Sequence, residues 1–544
     1  MEWKLGGPPA GDLRRSAQFF PSTSIQPGTS AFRWSARLWW LCAGVLAVTL
    51  ALPFLLIDVP PVLDYPNHLA RYVALAHADD PLLSRIYAPN WVVLPNLGMD
   101  VLATALLKVL DAHVGGRLLL ALSLVAPVIG VIIYSRAAFG RLTIWSLASG
   151  VIAYNGIFIL GFMNFLLSLG LAFAAAGGWI VLRRHGYIWL AMLAGAAAIA
   201  MVFFCHIFGV ALAALLIGAY ELDALAQAWR QRTLTRAALL RACAMMIAVV
   251  SPAVVLYLAS PLANGDAGIG PWGGVRKLWD LMVPFMSYSK TLTLTTAVAI
   301  FTLMVLIWRS VRFAPGVPVA FAVLAITFVL VPAALKGGTF VGERLALMMG
   351  LLLFAGVRLE LAPRYRHALA LAVVALIAVR VGYVGVVWAD HRHDLADLRA
   401  AIAPVGPGAR VLAARGHTFQ VSEDAPADRA LPGVGWLHSH MPALLTIERR
   451  AFWPLMFADP AQQPLTVRQP YGQLAHPLED PVHWPMLSEQ PPSRQSLLFA
   501  QYLTNWRSAF DYVLLIAPPE NPIAPAGLER VYAGSFAVLY RIAR

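Results

Sequence analysis

Along the chain, apolar runs of membrane length alternate with short polar breaks as far as residue 388, and there the alternation stops. A helix that crosses a bilayer needs about 20 apolar residues, and residues 38–57 supply the first such run. Most later breaks are basic: Arg136 and Arg141, Arg183 and Arg184, residues 230–241, Arg309 and Arg312, and residues 358–366. The excess of Arg and Lys in cytoplasmic loops places all of these on one side of the membrane. Keeping them there requires spans at 38–57, 117–134, 142–154 and 157–182, a hairpin over 188–222 bending near His206, and spans at 237–260, 291–308, 317–335, 345–357 and 368–388. The expected fold is a polytopic α-helical membrane protein with about eleven transmembrane helices, its N-terminus cytoplasmic and its C-terminus outside.

Two stretches depart from this rhythm. Residues 97–112 have helical spacing but contain Asp100 and Lys108. A charge at mid-bilayer costs a few kcal/mol, so this stretch reads as an interfacial helix in the outer loop 58–116. From 389 to 544 the chain is polar, with short β-like runs at 410–413 and 512–516 and a closing pair at 530–532 and 537–541, punctuated by Pro and Gly. A helical start at 393–402 precedes them. This pattern predicts an extracytoplasmic α/β domain large enough to bury its own core. Residues 1–37, rich in Gly, Pro and Ser with scattered Arg, read as a disordered cytoplasmic tail, which leaves 38–388 as the membrane domain.

Composition agrees: 59% of the 544 residues are apolar and only 13% charged, and the mean hydropathy is +0.68. The net charge of +13 is spread over the inter-helix clusters and forms no basic stripe, which argues against a nucleic-acid partner. Cys42, Cys205 and Cys243 all lie in apolar runs with no paired spacing, so neither a disulfide framework nor a zinc site is expected.

Candidate chemistry collects where the first span meets water, in DVPPVLDYPNHLARYVALA (58–76). Here Asp58, Asp64, His68 and Arg71 stand at a membrane surface, with helical spacing from Asn67 onward. A carboxylate at such a place can act as general base toward a hydroxyl, and His68, one turn on from Asp64, can tune it or bind a phosphate. The plainer alternative is that Asp64 or Asn67 caps the helix that follows. In KGGTFVGER (336–344), Lys336 and Arg344 beside Gly pairs suit a phosphate headgroup, whereas a local Glu343–Arg344 pair in a tight turn is the structural alternative. His206 falls at the bend of the hairpin; Asn155 and Asn164 mark an outer turn where they either touch a sugar or hold helices together.

With a first span, an acidic outer loop, interfacial helices, short Arg-bounded spans and an outer C-terminal domain, the layout resembles the GT-C class of membrane glycosyltransferases. That class includes protein O-mannosyltransferases and lipid A aminoarabinose transferases. HVGGRLLLALSLVAPVIGVIIYSRAAFG (113–140) is similar to the second span and following cytoplasmic turn of that class. The resemblance implies a polyprenyl-phosphate-linked sugar donor, an envelope glycan or lipid acceptor, and inversion at the anomeric carbon at the periplasmic face of a bacterial inner membrane. It implies Asp64 as base, with Asp58 its nearby partner, and Lys336 and Arg344 as candidates to stabilise the phosphate; His68 is a further catalytic candidate, and Glu343, Arg71 and His206 are further donor- or phosphate-binding candidates. Some members use a divalent cation, Mg or Mn, near the acid; here Tyr65 follows Asp64 where many relatives carry a second acidic residue. Two other classes compete: a transporter or flippase for a lipid-linked or anionic substrate, and a non-catalytic envelope scaffold.

Overall fold

The computed structural model describes residues 36–265, 268–336, 338–418, 421–422, 424–431, 434–477 and 479–543; the expected N-terminal tail lies, up to residue 35, outside them. Among the described residues, seven helices are long and apolar enough to cross a membrane: Ala36–Leu55, Ala112–Phe139, Met163–Arg184, Ile188–Cys205, Ile207–Arg230, Arg236–Leu258 and Pro363–Ile402. An eighth counts only if the bent pair Gly274–Phe285 and Lys290–Leu306, which meet at 87°, is one broken span rather than a re-entrant loop. Shorter helices at Val317–Leu330 and Val341–Ala355 complete the bundle. The protein is a polytopic helical membrane protein with a C-terminal sheet domain.

Of the eleven expected spans, those at 317–335 and 345–357 appear only as the helices Val317–Leu330 and Val341–Ala355, of 14 and 15 residues, and the one at 142–154 is not a continuous helix. Residues 142–154 form a short helix, Ile144–Leu147, and a 3-10 turn, Ala148–Ile152, followed by a second short helix, Gly156–Leu160. A helix over 142–154 reaches only about 20 Å at 1.5 Å per residue, short of the roughly 30 Å apolar core. Backbone this irregular is tolerated because it is buried in protein. Trp145 donates to the Leu353 carbonyl (3.0 Å), and Asn155 caps the second short helix by accepting the Phe158 N–H (3.1 Å). Beside it, Gly130 and Gly170 bring the Ala112–Phe139 and Met163–Arg184 helices into backbone contact: a Cβ on Gly130 would lie 2.4 Å from the Gly170 carbonyl oxygen. Small residues at such crossings let backbones approach.

The hairpin breaks at His206 as expected, where extended backbone (φ −170°, ψ 140°) separates two helices. Residues 97–112 give the nine-residue helix Gly98–Leu106, too short to cross. The last apolar helix does not stop at Trp388 but runs unbroken from Pro363 to Ile402, absorbing the separate helical start expected at 393–402. Its buried Arg380 donates to the carbonyls of Phe285 (2.9 Å), Tyr154 (2.8 Å) and Met286 (2.9 Å) and to Thr296 Oγ1 (3.2 Å). One guanidinium thus ties the bent pair to the turn after Ile152. Arg380→Met leaves these carbonyls without a donor, at about 1–3 kcal/mol for each one that stays dry. The expected result is a clear fall in the unfolding temperature of the detergent-solubilised protein, read by tryptophan fluorescence.

Beyond Ile402 a five-stranded mixed sheet runs in the order Leu528–Ala533, Ala537–Ile542, Tyr512–Ile516, Val411–Arg415, Val482–His483. Val411–Arg415 is parallel to both its neighbours, and the closing pair is antiparallel. The domain is stitched to the loop that follows the first span. Tyr87–Pro89 pairs antiparallel with Leu465–Val467, Arg450 bonds Asp80 (3.1 Å), and Arg399 bridges Asp58 (3.1 Å) and Glu448 (2.9 Å). It therefore forms a fixed roof over the loop that carries Asp64.

Candidate functional site

The loop 58–64 is pinned from below. Leu63 N–H donates to the Ile159 carbonyl (2.9 Å) and Asp64 N–H to the Leu160 carbonyl (3.1 Å), just before Gly161 turns the chain with φ +91°. A Cβ at Gly161 would sit 3.0 Å from Asp64 Cβ, so that turn needs a glycine on both counts. Tyr65–Ala76 follows as a helix with Pro66 in its first turn. Asp64 occupies the position before this helix, yet its side chain caps nothing. The capping alternative therefore fails for Asp64, and its carboxylate turns elsewhere.

It turns toward the roof. Asp64 Oδ1 lies 3.5 Å from His440 Nε2, and the Asp64 side chain keeps 17% of its surface exposed. Asn67, fully buried one turn on, accepts the Phe457 N–H (2.8 Å), donates to the Leu455 carbonyl (2.8 Å) and lies 3.2 Å from His440 Nδ1. Asn67 too is no cap; it docks the C-terminal domain on the loop. Burial pushes the Asp64 carboxyl up to about 7; Asp480 nearby adds to this, while Arg71 and Arg344 oppose it. Burial pushes His440 down to about 4, with Arg415 acting the same way and Asp480 against. At neutral pH the pair is a neutral imidazole facing a carboxyl that is about half ionised.

Three other candidates, Arg71, His68 and Arg344, join Asp64, and His206 lies near Arg344. Arg71 is fully buried and holds Asp100 through Nε (2.7 Å) and Nη2 (3.3 Å), leaving Nη1 without a hydrogen-bond partner among the described residues. His68 lies against Tyr72 and Phe457, and burial holds its pKa well below the ordinary value. Arg344 is buried on the rings of Phe162 (4.8 Å), Phe208 (5.4 Å) and Phe165 (5.8 Å). It forms no ion pair among the described residues, and its charge is felt at both Asp64 and His206. His206 packs against Phe165 and Phe208 and accepts the Phe208 N–H through Nδ1 (3.1 Å), capping its helix.

The remaining candidates have other partners. Asp58 is half-exposed and paired with Arg399 (3.1 Å), with Arg117 at 3.9 Å. Lys336 is exposed and donates to Tyr257 Oη (2.9 Å). Glu343 lies against Asp280. Asn164 accepts the Met99 N–H (2.7 Å) and donates to the Asn96 carbonyl (2.9 Å), so it joins helices. Sequence reasoning missed His440, Asp480 and Arg415, all supplied by the C-terminal domain. The HSH run at 438–440 was the available signal.

The donor set does not suit a divalent cation. Asp480 is within reach of Arg415 (3.5 Å), Asp64 is faced by an imidazole, and no group of three His, Cys, Asp or Glu side chains among the described residues is placed to hold a metal ion.

No protein-family profile matches the chain, and no curated protein matches it in sequence. Among solved structures it is similar to ArnT from Cupriavidus metallidurans bound to undecaprenyl phosphate, with 13% identity and a TM-score of 0.47, over 93% of this chain and 98% of that one. The functional reading accordingly rests on this chain's own residues.

Proposed function

We propose that the protein is a glycosyltransferase that moves a sugar from a polyprenyl-phosphate donor to an envelope glycan or lipid acceptor at the periplasmic face of a bacterial inner membrane. The observation that carries this reading is Asp64: a partly buried carboxylate, free of any capping duty, ionising near neutral pH and facing an imidazole under a fixed roof. A general base works best when its pKa lies near the operating pH. Asp64 takes the proton of the acceptor hydroxyl as that oxygen attacks the anomeric carbon. The bond from the anomeric carbon to the phosphate oxygen breaks on the opposite side, which inverts the centre. The lipid phosphate leaves carrying the electron pair.

Arg344 suits the departing phosphate. Its guanidinium is stacked on aromatic faces and committed to no carboxylate among the described residues, so its charge remains available to an anion in a dry setting. Arg344→Gln is expected to weaken binding of undecaprenyl phosphate to the purified protein in mixed micelles by about 10- to 100-fold, the 1.5–3 kcal/mol of a charge-assisted hydrogen bond. Unchanged affinity would remove Arg344 from the donor site. Transport draws some support from the bent pair at 274–306, but the carbonyls exposed at that break are occupied by Arg380.

Lipid extracts distinguish these readings. A strain lacking the gene is expected to accumulate one polyprenyl-phosphate-linked sugar and to lose that sugar from its envelope, by mass spectrometry. If the envelope sugars and the carrier pool are both unchanged, the transferase reading is wrong.

A further inference from the structure

We propose that His440 is a positioning residue for Asp64: Asn67 holds its ring in the tautomer that carries the proton on Nε2, and that N–H steadies and aims the carboxylate. This rests on the base reading for Asp64 and goes beyond it, because it makes the C-terminal domain part of the catalytic apparatus.

The amide orientation of Asn67 is fixed by two backbone groups. Its Oδ1 accepts the Phe457 N–H and its Nδ2 donates to the Leu455 carbonyl. Reversing the amide would set a donor against a donor and an acceptor against an acceptor. The NH₂ group therefore points at His440 Nδ1, 3.2 Å away, and a nitrogen that faces a donor must offer its lone pair. The single proton of the neutral ring then sits on Nε2, on the side of Asp64 Oδ1 at 3.5 Å.

The edges of Phe457 (5.0 Å) and Trp453 (6.5 Å) hold the imidazole plane. The charged and titratable groups facing Asp64 are Arg71 on its own helix, Arg344 on the Val341–Ala355 helix, and Asp480 and His440 from the C-terminal domain. Those facing His440, besides Asp64, are Asp480, Arg415 and His68. An N–H dipole directed at a carboxylate favours its charged form. His440 thus works with Arg71 and Arg344 against burial and Asp480.

The test reads Asp64 directly and needs no substrate. N,N′-dicyclohexylcarbodiimide attacks protonated carboxyl groups, and the N-acylurea formed on the Asp64 peptide is quantified by mass spectrometry across pH in membranes holding the full-length protein. The wild-type midpoint is expected near 7. His440→Phe keeps the bulk and removes the donor, and should raise the midpoint by about one unit, tenfold in proton affinity. His440→Gln restores an N–H at a similar reach and should bring the midpoint back toward wild type. If His440→Phe does not fold, His440→Leu asks the same question. A midpoint that is the same in wild type and the apolar variant, or equally shifted in Phe and Gln variants, overturns the proposal. The labelling reports ionisation whether or not Asp64 is a base, whereas loss of the base reading would appear as full function of Asp64→Asn.

Discussion

Asp64→Asn should reduce sugar transfer by about 10²- to 10⁴-fold, the usual worth of a general base, while making the protein more stable at alkaline pH. The two effects have one cause. In the folded protein the carboxyl ionises near 7, against 3.8 for its ordinary value. The folded state therefore holds this proton more tightly than the unfolded chain. Stability from this group is greatest below about 4, declines as pH rises toward 7, and stays low above that. At about 1.4 kcal/mol per unit, the loss is at most about 4 kcal/mol.

Asparagine removes this loss because it never ionises. Thermal unfolding of wild type and Asp64→Asn should therefore coincide near pH 4 and separate near pH 8, with the variant higher. A side chain held in place for stability behaves oppositely: its removal lowers the unfolding temperature at every pH.

The second large effect concerns Arg71. Arg71 and Asp100 are both fully buried and joined at 2.7 Å. Arg71→Leu strands a carboxylate in the interior, at about 3–5 kcal/mol. The expected outcome is poor recovery of folded protein from membranes, measured by fluorescence-detected size exclusion. Adding Asp100→Leu removes the stranded charge and should restore most of the yield, since an apolar pair often replaces a buried ion pair without loss. If Arg71→Leu alone folds normally, the pair is not a structural tie, and Arg71 with its unpartnered Nη1 returns as a direct phosphate ligand.

Much of the fold was legible because its signals are local. The break at His206, the short helix after Leu97 and the closing strand pair each follow from polarity and spacing within about a dozen residues. The excursion at 142–160 was not legible. Its apolar residues read as a span, and only packing against the Ala112–Phe139 and Val341–Ala355 helices lets such short pieces stay buried. The unbroken helix through Trp388 was hidden for a related reason: polarity marks where a helix leaves lipid, not where it ends.

At the site, the acidic loop was visible from its position after the first span. The choice between cap and free carboxylate was not, because it depends on a histidine in another domain. His440 reaches Asp64 only after the C-terminal domain has docked through Asn67 and through the pairing of Tyr87–Pro89 with Leu465–Val467. No local pattern encodes that meeting.

The most direct test of the central claim is envelope-glycan composition in a strain lacking the gene, complemented with wild type or Asp64→Asn at matched membrane levels. The account predicts that wild type restores a missing sugar and that Asp64→Asn, though present and folded, does not. Full restoration by Asp64→Asn would contradict it and leave Asp64 without a role as base.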